Sequence, residues 1–126
     1  MLKIILPITK RAKPRGKIGK YGNITHSTGG YREWQADGIK LLKCLNVPLV
    51  TNIYAFHITF YKKGRGDLDN LAGAVMDLLV EAGVIADDDW VTIPNLIIKT
   101  NPEKKDQIDI YFCQNKEESI KLFSEI

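Results

Sequence analysis

Two clusters of acidic residues flank one amphipathic stretch and have the composition of a metal site. Asp67 and Asp69 stand directly before an apolar periodic segment, and Asp87, Asp88 and Asp89, here called the acidic turn, follow its end. Hard divalent cations such as Mg²⁺ bind a few carboxylate oxygens and otherwise keep their water molecules. Such a cation can activate water and neutralise charge that develops on a phosphodiester. Asp67 also suits a helix N-cap, and the acidic turn also suits a solvated loop.

The stretch between the two clusters predicts a helix. Apolar residues recur at helical spacing from Leu68 to Ala82, and Gly83 ends the pattern. A helix of about 16 residues spans about 24 Å. The two acidic clusters can therefore meet only if the chain doubles back after Ala86.

The remaining pattern predicts one mixed α+β domain over residues 1–126, with two main helices packed on a sheet. The expected element order is β(β)αβαββ with a possible short C-terminal helix. The second strand is expected to close a hairpin with the first. Strands are predicted at 2–6, 21–25, 51–63, 92–100 and 107–114, and helices from about Tyr31, from Asp67 or Leu68, and at 116–125.

Charge is divided unevenly along the chain. The formal net charge is +3, but residues 1–45 hold ten bases and two acids, whereas residues 46–126 hold eight bases and thirteen acids. Residues 10–20, here called the basic segment, contain six bases and no acid, and their proline and glycines predict a mobile loop. Such a patch favours salt-dependent, largely sequence-independent contact with phosphates. The predicted contacts are Lys10, Arg11, Lys13, Arg15, Lys17 and Lys20.

The composition is that of a soluble globular protein, with 44% hydrophobic and 26% charged residues. No apolar run is long enough for a membrane span, and the apolar start is too short for a secretory signal. The cytoplasm is therefore the expected compartment. No nucleotide-binding loop, zinc-ligand spacing or nucleophilic triad is present in the sequence.

Several other reactive residues have structural interpretations. Cys44 and Cys113 are expected to be reduced, buried thiols, with a disulfide as the alternative. His57 is expected to be a satisfied polar or surface residue rather than a chemical group. Tyr31 and Trp34 are expected in the core, with base stacking as the alternative.

The motif over residues 67–91 resembles the signature of the RusA family of Holliday junction resolvases. The shared pattern is an Asp-x-Asp-Asn helix start at 67–70, a mid-helix acid at Asp77, and the pair Asp87-Asp88 before the next strand. The resemblance implies a homodimeric α+β endonuclease that binds four-way DNA junctions in recombination and repair. It also implies paired symmetric nicks with Mg²⁺ or Mn²⁺. Many family members are encoded by phages or prophages.

The resemblance also implies roles for individual residues. Asp67, Asp69 and Asp88 match the essential carboxylates that bind the metal, and Asp87 is a possible supporting ligand. The remaining motif residues, Asn70 and Asp77, are expected to position the helix start and to make contacts on the helix face.

One position departs from the family pattern. The family has a lysine four residues after the second aspartate, where i and i+4 share a helix face, and this chain has Gly73. A close helix crossing would explain the glycine structurally. Alternatively, another base supplies the charge, or cleavage is lost and the protein only binds branched DNA. A third interpretation leaves the aspartates as caps and solvated residues. The nearest candidate bases, also predicted to bind DNA, are Lys62, Lys63 and Arg65.

Overall fold

A computed structural model describes residues 1–14, 17–18, 24–25, 29–64 and 66–125 of the chain. These residues form one small α+β domain with a four-stranded mixed sheet and three helices, as the sequence predicts. The strands are β1 (Leu2–Leu6), β2 (Lys17–Ile18), β3 (Ile24–Thr25), β4 (Ala55–Tyr61), β5 (Leu96–Asn101) and β6 (Ile108–Cys113), and the helices are α1 (Gly29–Cys44), α2 (Leu68–Glu81) and α3 (Lys116–Ser124).

Strand β4 is a central strand of the main sheet, whose order is β1-β6-β4-β5. It pairs with β6 in antiparallel and with β5 in parallel orientation, so that Ile58 lies opposite both Ile110 and Ile98. Five of its seven residues are hydrophobic or aromatic, and the other two are Thr59 and the fully buried His57. Aromatic and β-branched residues favour such a pleated, covered position. The parallel connection from β4 to β5 passes through α2 and the acidic turn.

Helix α2 covers the sheet with one apolar face. Leu71, Val75, Leu78 and Leu79 are buried, and they belong to the same core cluster as Phe56 of β4. Their spacing is the helical period that predicts this element from the sequence. The helix therefore has a fixed position, and its polar face carries the motif acids outward.

Helices α1 and α2 approach closely at Gly38. A Cβ atom at this position would lie 2.7 Å from Cδ2 of Leu78, which is fully buried. Any side chain at residue 38 would therefore force the buried Leu78 to shift. One turn earlier, Tyr31 and Trp34 stack with ring centroids 5.9 Å apart and are only partly buried.

Three predictions of local structure are wrong. The first strand does not form the predicted hairpin with the described residues Ile24–Thr25: β1 pairs with β6 over its whole length, and its Ile4 and Leu6 are buried in the main sheet. Strand β3 pairs instead with β2, so the basic segment has regular structure at Lys17–Ile18. Residues 21–23 lie outside the described residues. Strands β4 and β5 begin at Ala55 and Leu96 rather than at residues 51 and 92 as predicted.

The buried side chains include two of the reactive residues. Cys113 is buried as predicted, whereas Cys44 is exposed at the end of α1, and both thiols are free. His57 is fully buried, and its Nε2 lies 2.8 Å from the Ser119 hydroxyl of α3. Among the helices that the structure describes, none is long and apolar enough to cross a bilayer.

Candidate functional site

The start of α2 carries the first acidic cluster. Gly66 adopts a φ of 115°, a conformation that side chains disfavour, and this turn leads directly into the helix. Asp67 occupies the N-cap position, and its carbonyl accepts a hydrogen bond from Leu71 N–H at 3.0 Å. Its carboxylate makes no capping hydrogen bond. Asp67 and Asp69 are both exposed, so their carboxylates lie at the surface near the positive end of the helix dipole.

Asn70 connects the helix start to the basic segment. Its Oδ1 accepts a hydrogen bond from the backbone N–H of Lys13, and its Nδ2 donates to the carbonyl of Lys13, both at 3.2 Å. These two bonds satisfy both backbone polar groups of Lys13 and hold that residue against α2. Asn70 therefore contacts the basic segment, whereas the sequence motif predicts a role at the helix start.

The side chain of Lys13 runs along α2 over Gly73. Its Nζ forms an ion pair with Oδ2 of Asp77 at 2.6 Å, one helical turn beyond the glycine. The hydrogen bond to Asp77 raises the pKa of Lys13 above its usual value, and the charges of Asp77 and Asp88 add to this effect. The hydroxyl of Tyr31 lies within electrostatic reach of Asp77 and Lys13, and it is buried without a hydrogen-bond partner among the described atoms.

The end of α2 sets the path of the chain into the acidic turn. Gly83 has a φ of 75°, and the N–H groups of Val84 and Ile85 bond to the carbonyl of Leu79. Val84 and Ile85 are buried, which fixes the direction of the following residues. The acidic turn consequently lies where Asp88 interacts electrostatically with Asp77 in the middle of α2.

The three aspartates of the acidic turn have different surroundings. Asp87 Oδ1 accepts a hydrogen bond from Asp88 N–H at 2.8 Å, and Asp89 Oδ1 accepts one from Thr92 N–H at 2.9 Å. Partial desolvation raises the pKa of Asp88, and its neighbours Asp87 and Asp77 raise it further. The bond from Thr92 lowers the pKa of Asp89. The local field at Asp88 is therefore negative, which favours a bound cation.

The predicted metal ligands have suitable chemistry but are not gathered into a complete centre. Within the described residues, no three carboxylate, imidazole or thiolate side chains lie close enough to hold a metal ion. The two aspartates at the start of α2 and the pair in the acidic turn therefore form two separate oxygen-donor groups. Mg²⁺ commonly takes only one or two protein carboxylates and completes its coordination with water and substrate phosphate oxygens. The oxygen donors present fit that mode of binding.

The first residues of the basic segment are fixed against the domain. Lys10 Nζ donates to the carbonyls of Tyr61 and Lys62, at 2.9 and 2.6 Å, where β4 ends. The indole N–H of Trp34 donates to the carbonyl of Thr9 at 2.6 Å. The guanidinium of Arg11 lies against α1 at Gly30. Residues 9–13 therefore lie in one place on the surface, spanning from β4 to α2.

Two of the other predicted DNA contacts, Lys62 and Lys63, lie beside the start of α2. Lys62 forms an ion pair with Asp106 at 3.1 Å, and Lys63 is exposed. Both lysines and Lys10 line a cavity of about 480 Å³ beside the start of α2. Lys17 lies in β2. Arg15, Lys20 and Arg65 fall outside the described residues.

The sequence does not reveal the most informative contact. Lys13 and Asn70 are 57 positions apart, and no local pattern links a loop lysine to a glycine on a distant helix.

The contact with Lys13 changes the explanations offered for Gly73. A Cβ there would meet only the Lys13 side chain among the described atoms, at ordinary contact distances, so no helix crossing requires the glycine. Among the described residues, the base within 4 Å of a Cβ at Gly73 is Lys13 rather than Lys62 or Lys63, and the third candidate, Arg65, lies outside the described residues.

The chain matches no protein-family model, and no curated protein matches it. The function is therefore inferred from the residues and contacts described above.

Proposed function

We propose that this protein is a metal-dependent, structure-selective DNA endonuclease of the RusA type, which resolves four-way junctions by paired symmetric nicks. Its reaction would be hydrolysis of phosphodiester bonds during DNA recombination or repair, in the cytoplasm. The substrate is branched DNA, and neither a nucleotide cofactor nor a membrane takes part.

The observation that carries the proposal is the contact between the basic segment and the acidic residues of α2. Phosphodiester cleavage needs bases that hold a polyanion and carboxylates that act beside the scissile bond. Here Asn70 holds the main chain of Lys13, and the ammonium of Lys13 reaches Asp77 at 2.6 Å. Basic and acidic groups that are far apart in sequence thus form one surface, which supports a nuclease over two unrelated charged patches.

Each group has a defined task in this proposal. Asp67 and Asp69 at the start of α2, and Asp88 with Asp87 in support in the acidic turn, would be the two groups of oxygen donors available to Mg²⁺ or Mn²⁺. When bound, such an ion would activate water and neutralise charge on the reacting phosphate. The basic segment, with Lys62, Lys63 and Arg65, would grip the DNA backbone. Lys10 would contribute less to this grip than the other bases, because its ammonium already bonds two carbonyl groups.

A homodimer is part of the proposal. Two opposed strands of a junction must be cut at related positions, and one chain has one set of motif carboxylates. A two-fold dimer would present two sets in the symmetry of the junction and would double the basic surface.

A second candidate is a branched-DNA binding protein that does not cut. Gly73 stands where the family pattern has a lysine, and the carboxylates of the described residues are not gathered into a three-ligand group. Both facts would fit a chain that has kept DNA binding and lost chemistry.

A junction assay separates the two candidates. The purified protein is incubated with a synthetic mobile four-way junction and with linear duplex of the same sequence, with and without Mg²⁺ or Mn²⁺. The proposal predicts nicks only in the junction and only with metal, abolished by Asp69→Asn. Glu81→Gln is the matched control, because it removes a carboxylate from the exposed last turn of the same helix. Junction binding without cleavage would favour the second candidate, and equal binding of linear duplex would contradict both.

A further inference from the structure

The place of the missing helix lysine is filled from elsewhere in the chain. A Cβ on Gly73 would lie 3.5 Å from Cδ and 3.9 Å from Nζ of Lys13. A side chain that started at residue 73 would therefore enter the volume that the Lys13 side chain occupies. The glycine leaves room for that side chain on the polar face of α2, between Asp69 one turn before it and Asp77 one turn after it.

The position of Lys13 is set by the helix itself. Asn70 bonds both the N–H and the carbonyl of Lys13, so the main chain at this residue has two fixed contacts with α2. The preceding Ala12 is partly buried and packs against the main hydrophobic core. Together with the bond from Trp34 to Thr9, these contacts hold the segment at three points. Lys13 is thus a fixed residue of this surface rather than a mobile loop lysine.

The ammonium of Lys13 remains accessible while it is paired. Its side chain is 38% exposed and that of Asp77 is 31% exposed. An ion pair this open is weak because solvent screens it, so an arriving phosphate can compete with Asp77 for the ammonium. The charge of Asp88 also acts on Lys13, which places the ammonium within electrostatic reach of a predicted metal ligand.

Resting on the proposed function, we propose that Lys13 is the catalytic cation of this nuclease: its ammonium exchanges Asp77 for the scissile phosphate and stabilises the charge that develops there. The lysine is supplied by the DNA-binding basic segment instead of by α2. Asn70 is then a positioning residue, since it acts on the phosphate only through Lys13. Because Lys13 belongs to the basic segment, binding of DNA by that segment also places the ammonium of Lys13 beside the phosphate.

The test compares cleavage rate with binding in single-turnover reactions on the four-way junction at saturating protein. Lys13→Met keeps the aliphatic part of the side chain over Gly73 and removes only the charge. We expect its cleavage rate to fall about 100-fold or more, as when one stabilising donor is lost, while its junction affinity falls far less. Lys13→Arg retains most of the rate. Lys40→Met, at an exposed position of α1, is the control for loss of one positive charge.

Rescue from the helix distinguishes a chemical role from a structural one. Gly73→Lys, introduced into Lys13→Ala, returns a positive charge to the volume that the shortened side chain leaves empty, without restoring residue 13. We expect the double variant to cleave the junction at least about ten times faster than the variant without Gly73→Lys. Thermal unfolding of each variant checks that the fold is intact.

The possible failures are distinct. A Lys13→Met protein that cuts at the wild-type rate overturns this inference and leaves the proposed function standing, as does a loss of rate that Gly73→Lys does not repair. Wild-type protein that never cuts the junction overturns the proposed function, and the role of Lys13 with it.

Discussion

Adjacent aspartates in the acidic turn have different surroundings, and these decide which carboxylate is available to a ligand. Asp89 is engaged by the N–H of Thr92 at 2.9 Å and shapes the turn. Asp88 instead has a raised pKa, caused first by partial desolvation and then by its acidic neighbours. A side chain held in a repulsive field gains most from a cation. Chemistry at this turn is therefore expected from Asp88.

Isosteric substitution separates these two residues. Asp88→Asn should lower the junction cleavage rate by about 100-fold or more, because it removes a predicted ligand charge beside the reacting phosphate. Asp89→Asn should leave the rate near wild type, since an amide oxygen can still accept the bond from Thr92. Rates are compared at saturating Mg²⁺. Equal losses in both variants would mean that the turn acts only through its total charge.

His57 gives the fold a specific dependence on pH. Burial, with a contribution from the charge of Lys99, lowers its pKa to about 4, against 6.5 in an unfolded chain. As the pH falls from about 6.5 to 4, the unfolded chain binds a proton that the folded protein resists. This group should therefore lower the free energy of unfolding by up to about 3 kcal/mol across that window.

Urea unfolding of wild type and His57→Leu at a series of pH values tests this expectation. The variant loses the bond to Ser119, so its stability at pH 7 is lower, but its slope between pH 6.5 and 4 should be flatter. Carboxylates that titrate in the same range remain in both proteins and cancel in the comparison. Identical slopes would contradict the account of His57.

At the scale of elements, two glycines on the helices have opposite roles. Gly38 lies at the crossing of α1 and α2, where a Cβ would be 2.7 Å from Leu78, whereas Gly73 faces the side chain of Lys13 at 3.5 Å. Only the first glycine is needed for packing. The second costs helix stability, and it leaves the helix face free of any side chain longer than alanine where Lys13 crosses it.

Alanine at each glycine should change stability in opposite directions. Gly38→Ala should lower the free energy of unfolding by about 1 kcal/mol, because overpacking costs about 1–3 kcal/mol and alanine returns about 1 kcal/mol of helix propensity. Gly73→Ala should raise it by about 1 kcal/mol, since the methyl group meets only ordinary contacts. Urea midpoints measure both. Destabilisation by Gly73→Ala would contradict this expectation and would show that the Lys13 side chain cannot make room for the added methyl group.

The sequence predicts elements better than their partners. Helix α2 is predicted from its start near Leu68 to its end before Gly83, because its apolar period is a local signal. The pairing of β1 with β6 joins residues more than a hundred positions apart, and nothing local encodes it. The same limit applies to the site: the motif acids are readable from spacing, whereas the contact of Lys13 with Asn70 and Asp77 arises only in the folded chain.

For the whole molecule, folding brings together charges that the sequence separates. The net positive first part of the chain contributes the basic segment, and the net negative remainder contributes α2 and the acidic turn. The two parts are joined by the ion pair between Lys13 and Asp77. Acidic residues that would repel DNA on their own are thus bordered by bases that attract it, an arrangement suited to a nuclease whose carboxylates are neutralised by a divalent cation.

Cleavage of a supercoiled plasmid that extrudes a cruciform tests the central claim most directly. Two nicks made in opposed strands during one binding event convert this plasmid to a linear product, whereas unpaired nicks leave an open circle. We predict a linear product that requires Mg²⁺ or Mn²⁺ and is lost in Asp69→Asn. A plasmid without the inverted repeat should stay intact. Failure to cut the cruciform, or equal nicking of both plasmids, would contradict the assignment of this protein as a junction-resolving endonuclease.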